Sequence, residues 1–222
     1  IKKLEDLKNT KVEKQPLLPT ENNVLKTFSI ENEPVVELVN NREREYIFAD
    51  LPDIGYSTDI DTVMASSYQV KKQLQQIVKI EQPITNTLLY KRILRIWNLT
   101  RVTTRLQVFI DNLLEDAYKD PLSGDTIIYW EDEEKAKDCD FYRINSKRDI
   151  LDIPILEVMS AARYAIEQQI SMPTEDLKRL TSQLLGFSRK GTNLDMVTEQ
   201  TIQLLIDQGI FSHANGMVSM NN

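Results

Sequence analysis

Between Gln82 and Ile110 the chain carries five charged side chains, Lys91, Arg92, Arg95, Arg101 and Arg105, and all five are basic. A local surplus of this kind is what contacts to a phosphate backbone require. Lys91 and Arg95 lie one helical turn apart, Arg101 falls in a turn, and Arg105 begins the next helix, the element that enters the major groove in helix-turn-helix readers. A second and weaker set, Lys178, Arg179, Arg189 and Lys190, is offset by Glu175, Asp176 and Asp195. The nucleic-acid-binding candidates are Lys91, Arg92, Arg95, Arg101 and Arg105, joined by Arg189 and Lys190. The competing reading of the window is a solvated helix face paired with the acids that follow Asp111. Arg101 and Arg189 share one position of an internal repeat, which suits a phosphate contact or a charge bonded to carbonyls at the preceding helix end.

Other chemistry has little to work with. His213, the one histidine, sits near a hairpin turn, where a solvent-facing position outweighs catalysis. Cys139 has no nearby His or second Cys and reads as inert. From Asp111 to Glu157 fourteen acids face six bases, and the run Glu131 to Glu134 lacks a calcium-loop spacing, so a solvated loop or a contact to a basic protein surface fits better than a metal. No glycine loop followed by Lys-Ser or Lys-Thr is present, and the acidic pairs form no nuclease constellation. The sequence therefore reads as a protein that is not an enzyme, with no cofactor, no metal and no small-molecule substrate. Trp97 could stack on a base, but its register with Leu89 and Ile93 assigns it to packing.

The elements that must carry these residues follow from a repeat. PITNTLLYKRILRIWNLTRVTTRLQVF from Pro83 aligns without a gap on SMPTEDLKRLTSQLLGFSRKGTNLDMV from Ser171. Leu89 falls on Leu177, Ile96 on Leu184, Leu99 on Phe187 and Leu106 on Leu194. Asn98 and Gly186 share a slot, and both types tolerate the left-handed conformation that ends a helix. Asn86 and Thr174 are expected to cap the helix before this stop, and Thr104 and Thr192 the helix after it. A further amphipathic helix precedes each pair, at about Ser66 to Lys79 and Ile155 to Gln169. After the third helix a β-hairpin is expected in each copy: DTIIYW with FYRI around the acidic stretch EDEEKAKDCD, then GIF with GMVSM through Asn215-Gly216.

The fold class is mainly α with small β-hairpins (α+β), in tandem winged-helix-like three-helix modules. Residues 1–50 read as a linker and the end of an upstream domain, 51–150 as the first module and 151–222 as the second. With 222 residues and 41% apolar content, two small cores can be filled. A net charge of −7 argues against indiscriminate coating of nucleic acid. One cysteine, no signal peptide and no apolar run of membrane length point to a reduced, cytoplasmic protein without a membrane partner.

The stretch from about Ala49 to Phe211, with IWNLTRVTTRL in the first copy and LLGFSRKGTNL in the second, resembles the family catalogued as domain of unknown function 3320. Leu185, Gly186, Phe187, Ser188, Arg189, Gly191 and Thr192 match the family's turn motif, whereas the first copy has Asn98 and Thr103 at the two glycine positions. The resemblance implies the C-terminal region of a large bacterial superfamily I helicase-like protein, following a nuclease-like domain, with IKKLEDLK as the last helix of that domain. It implies two partners, DNA and the upstream helicase and nuclease domains of the parent chain. The function expected is an accessory module that positions DNA through a basic helix-turn-helix surface, or else a scaffold that docks on those domains.

Overall fold

A computed structural model describes residues 41–56, 58–123 and 126–221. Residues 1–40, which include the helix IKKLEDLK and most of the expected linker, lie outside the described residues.

The elements run β1 (Glu43–Glu45), α1 (Ile60–Ala65), α2 (Ser67–Glu81), β2 (Ile84–Thr85), α3 (Asn86–Ile96), α4 (Thr104–Leu113), β3 (Tyr118–Lys119) and β4 (Ile128–Trp130). They continue with α5 (Glu133–Lys137), β5 (Tyr142–Ile144), α6 (Ile155–Glu167), β6 (Met172–Pro173), α7 (Thr174–Leu184), α8 (Thr192–Asp207), β7 (Phe211–Ala214) and β8 (Met217–Met220). This is an α+β fold whose described residues form two small antiparallel sheets and one parallel strand pair, β1 with β5. Elements α2 to β4 and α6 to β8 follow the same order, helix, strand, helix, helix, strand, strand. Their sheets have the matching strand orders β2-β4-β3 and β6-β8-β7.

Apolar spacing explains the helices. Val70, Leu74 and Ile77 of α2, Leu89 and Ile93 of α3, and Leu106 and Ile110 of α4 are all buried and meet in one core with Tyr129 of β4. Each such Leu or Ile contributes about 1.5–3 kcal/mol relative to exposure. In the second copy Ala162, Ala165, Ile166, Leu177, Ile202, Leu205, Phe211 and Val218 form the corresponding core.

The helix starts fall one residue earlier than the sequence suggests. The capping side chains are Thr85, which accepts from Leu88 N–H, and Thr103, which accepts from Leu106 N–H, both at 3.3 Å. A cap must keep an extended backbone, as Thr85 and Thr103 do, whereas Asn86 and Thr104 are already helical. In the second copy Thr174 and Thr192 likewise begin their helices, behind Pro173 and Gly191.

The second hairpin forms as expected, with Asn215 and Gly216 both at positive φ in the turn between β7 and β8. The first does not. Ile128–Trp130 pairs back onto Tyr118–Lys119 and onto β2, while FYRI leaves to lie parallel to β1. The acidic stretch between them is a helix rather than a turn. Asp132 caps α5, the acids Glu133 and Glu134 open it and Lys135 and Lys137 close it, a charge order that suits the helix dipole. Each three-stranded sheet also gains a two-residue strand, β2 or β6, too short to leave a period in the sequence.

Candidate nucleic-acid interface

The corner between the second and third helices is built identically in both copies. Leu99 N–H donates to Leu94 O at 2.9 Å and Asn98 N–H to Arg95 O at 3.3 Å. Phe187 N–H donates to Ser182 O and Gly186 N–H to Gln183 O, both at 2.9 Å. This is the paired bond pattern of a Schellman stop, and Asn98 and Gly186 supply the positive φ that it needs, at 47° and 88°. The stop turns the chain sharply and leaves the residues before α4 and α8 at the surface, where Arg101, Arg189 and Lys190 are exposed.

The seven candidate side chains do not converge on one surface. Arg92 is half-buried and structural: its Nε lies 3.0 Å from both carboxylate oxygens of the fully buried Glu81, and its Nη2 lies 2.8 Å from the Tyr46 hydroxyl. Lys91 Nζ reaches the buried Asp152 carboxylate at 2.6 Å. Arg105 pairs with Asp61 at 2.7 Å, and Arg95 stands 3.9 Å from Asp50 with Phe48 beneath its guanidinium at 4.8 Å. Arg101, Arg189 and Lys190 have no hydrogen-bond or ion-pair partner among the described residues. The alternative of a carbonyl cap by Arg101 and Arg189 is therefore not what these side chains do. The pairing that disarms the window comes from acids on both sides of it, Asp50, Asp61 and Glu81 before and Asp152 after, rather than from those after Asp111 alone.

Beside Arg189 and Lys190 a cleft of about 620 Å³ opens between α7 and α8, walled by Lys178, Arg179, Phe187 and Leu194. Its buried cation, Lys178, is already held by three carboxylates, Glu175 at 3.3 Å, Asp195 at 2.7 Å and Glu199 at 2.9 Å.

The densest electrostatics lie where the two copies join, and sequence reasoning missed them. Glu157 of α6 is fully buried and accepts from both Arg148 nitrogens at 2.8 Å and from Arg143 at 2.5 Å. Arg143 then reaches across to the last carbonyls of the first copy's opening helix and its exit, Glu81 at 2.7 Å, Gln82 at 3.2 Å and Pro83 at 2.6 Å. Burial alone would raise the Glu157 carboxyl, but the two guanidiniums outweigh it and hold the group down at about 2. A strap at residues 42–46 clamps the same joint. Arg42 pairs with Asp140 and Glu167, β1 pairs with β5, and the Tyr46 hydroxyl donates to Glu81. In the sequence Arg143 and Arg148 sit in the acid-rich stretch like ordinary surface charges, and only the ring contacts with Tyr46 and the fold around Glu157 reveal their role.

The remaining residues with chemical potential behave as packing or surface groups. Trp97 is buried and donates through Nε1 to Gln73 at 2.9 Å, so its place in the core holds. His213 is exposed on β7. Burial pushes the Cys139 thiol up to about 12, which keeps it protonated at neutral pH. Among the described residues no cluster of three or more His, Cys, Asp and Glu could hold a metal ion, and no helix is long and apolar enough to cross a membrane.

No curated protein and no solved structure matches the chain. A family model described as "Protein of unknown function (DUF3320)" matches residues 65–108, which span α2, β2, α3 and the start of α4. The match supports the resemblance read from the turn motifs, and it falls on the first copy although the second carries the fuller motif.

Proposed function

We propose that the chain is a non-catalytic accessory module that positions nucleic acid, with each copy a winged helix and with contact made by the turn cations Arg101, Arg189 and Lys190. The winged-helix reading rests on the repeated order of helices and strands and on the shared sheet order, with β4 and β8 central. The observation that carries the functional reading is that Arg101 and Arg189 occupy one repeat position, in two identically bonded corners, and both are exposed and unpaired among the described residues. A phosphate is the ligand such a side chain suits, since guanidinium offers a planar fork of donors. The helix cations Lys91, Arg92, Arg95 and Arg105, being engaged within the fold, take second place to the turn.

A parent protein of the helicase and nuclease kind is the setting that the family resemblance suggests for this module, and the cysteine usage of the sequence suggests the cytoplasm. A second reading has its own support. Four of the five cations in the basic window are ion-paired and the chain is acidic, which favours a scaffold docking on the parent's other domains. Binding of the wild type and of Arg101→Glu plus Arg189→Glu to single-stranded, duplex and forked DNA separates the two. Loss of binding in the variant supports phosphate contact, and a wild type that fails to bind at low salt leaves docking as the function.

A further inference from the structure

Residues 47–56 and 58–61 lie over the turn face of the first copy and are fixed there by hydrogen bonds to backbone carbonyls. Ile54 N–H donates to Ile96 O at 3.0 Å, the Thr58 hydroxyl donates to Trp97 O, and the Asn98 side chain donates to Tyr56 O at 3.3 Å. Leu51, Ile54 and Ile60 pack against the core beneath. Held in this way, the segment brings Asp61 to 2.7 Å from Arg105 and Asp50 to 3.9 Å from Arg95, and slides the Phe48 ring under Arg95. The two carboxylates stand where phosphate oxygens would approach the first copy. The corresponding corner of the second copy has no acid against Arg189 or Lys190 among the described residues.

We infer that Asp50 and Asp61, with the described residues that hold them, are a built-in competitor for phosphate, masking the first copy's Arg95 and Arg105 in cis while the second copy stays open. The inference rests on the nucleic-acid reading above. All four paired groups are more than half exposed, so solvent screens both pairs and the acids compete for the arginines without locking them. Nucleic acid engages the second copy and Arg101 first, and the first copy's helix cations join only when phosphate displaces Asp50 and Asp61. The anchoring bonds at Ile54 and Thr58 need not break, because both acids sit at the surface of the segment.

The test compares binding of a short labelled duplex by wild type, by Asp50→Asn plus Asp61→Asn, and by Glu134→Gln plus Asp138→Asn. The last removes two exposed acids from and beside α5 and gives the same net charge. The inference predicts roughly tenfold tighter binding for the segment variant, with a salt slope steeper by about two, since each newly engaged phosphate adds close to one. The α5 variant tightens by less than about twofold, with the slope unchanged. Adding Arg95→Gln and Arg105→Gln to the segment variant returns the slope to that of wild type. If the segment and α5 variants tighten equally, the effect is bulk charge and the masking inference falls while the nucleic-acid reading stands. If no protein binds the duplex at low salt, both fall.

Discussion

Lys178 lies 2.9 Å from Glu199, and at the same two positions of the first copy the Tyr90 hydroxyl donates to Asp111 at 2.8 Å. One tie between second and third helix is thus made twice with different chemistry, an ion pair in one copy and a phenol in the other. The tie is kept while the charges change, so the two surfaces differ. Asp111 also accepts from the Tyr129 hydroxyl at 3.2 Å, so it fixes β4 as well as α3.

Replacing that acceptor strands two tyrosine hydroxyls. Asp111→Ala is expected to destabilise the fold by about 1–3 kcal/mol, the cost of leaving buried or half-buried donors without an acceptor. A urea unfolding curve reads this as a lower midpoint at unchanged slope, and a midpoint equal to wild type would show that the tie carries no weight.

Arg92 is a candidate for phosphate on sequence grounds, and its partner Glu81 makes a different demand. Arg92→Gln removes the main charge facing a fully buried carboxylate and is expected to cost roughly 3–5 kcal/mol. Among variants that stay folded in the cold, Arg92→Gln should keep the wild-type salt slope for DNA. A slope reduced as much as in Arg101→Glu would place Arg92 on the phosphate after all.

Acid is expected to weaken the joint between the copies. Glu157 is held at about 2, below the usual carboxylate value of 4.5, so its folded form resists protonation more than its unfolded form does. The stability it lends is complete above pH 4.5 and is lost as pH falls towards 2. Unfolding midpoints measured downward from neutral pH should therefore drop through this window in wild type. Glu157→Gln should start lower at neutral pH and lose less on acidification, and parallel curves for the two proteins would refute the assignment.

Much of the architecture is open to reading from sequence because it rests on local rules. The helices follow apolar period, and the corners follow from Asn98 and Gly186, whose types suit positive φ whatever surrounds them. The hairpin at Asn215-Gly216 is equally local. The pairing of FYRI with β1 is not, since Glu43–Glu45 lies far off in sequence and carries no apolar alternation. For the same reason the candidate site is legible only in part. Arg101, Arg189 and Lys190 keep the exposure that a turn implies, while the fates of Lys91, Arg92 and Arg105 are decided by Asp152, Glu81 and Asp61, which reach them through tertiary structure.

The corner itself makes a prediction about the repeat. A Cβ added at Gly186 meets nothing within 4 Å, so Gly186→Ala carries only the penalty of φ 88°, about 1–2 kcal/mol. Asn98→Gly, at the same slot, suits its φ of 47° and gives up only the exposed side-chain bond to Tyr56 O, so it should shift the unfolding midpoint less. Equal losses at the two sites would mean that the corners are not equivalent.

The salt dependence of duplex binding tests the central claim most directly. Wild type should bind with a steep linear fall of log affinity against log salt, and Arg101→Glu plus Arg189→Glu plus Lys190→Glu should flatten that slope by close to three, about 0.9 for each phosphate no longer neutralised. An unchanged slope in the triple variant would contradict the account by placing the phosphate contacts elsewhere, and no binding by wild type at low salt would contradict it and leave protein docking as the function of the module.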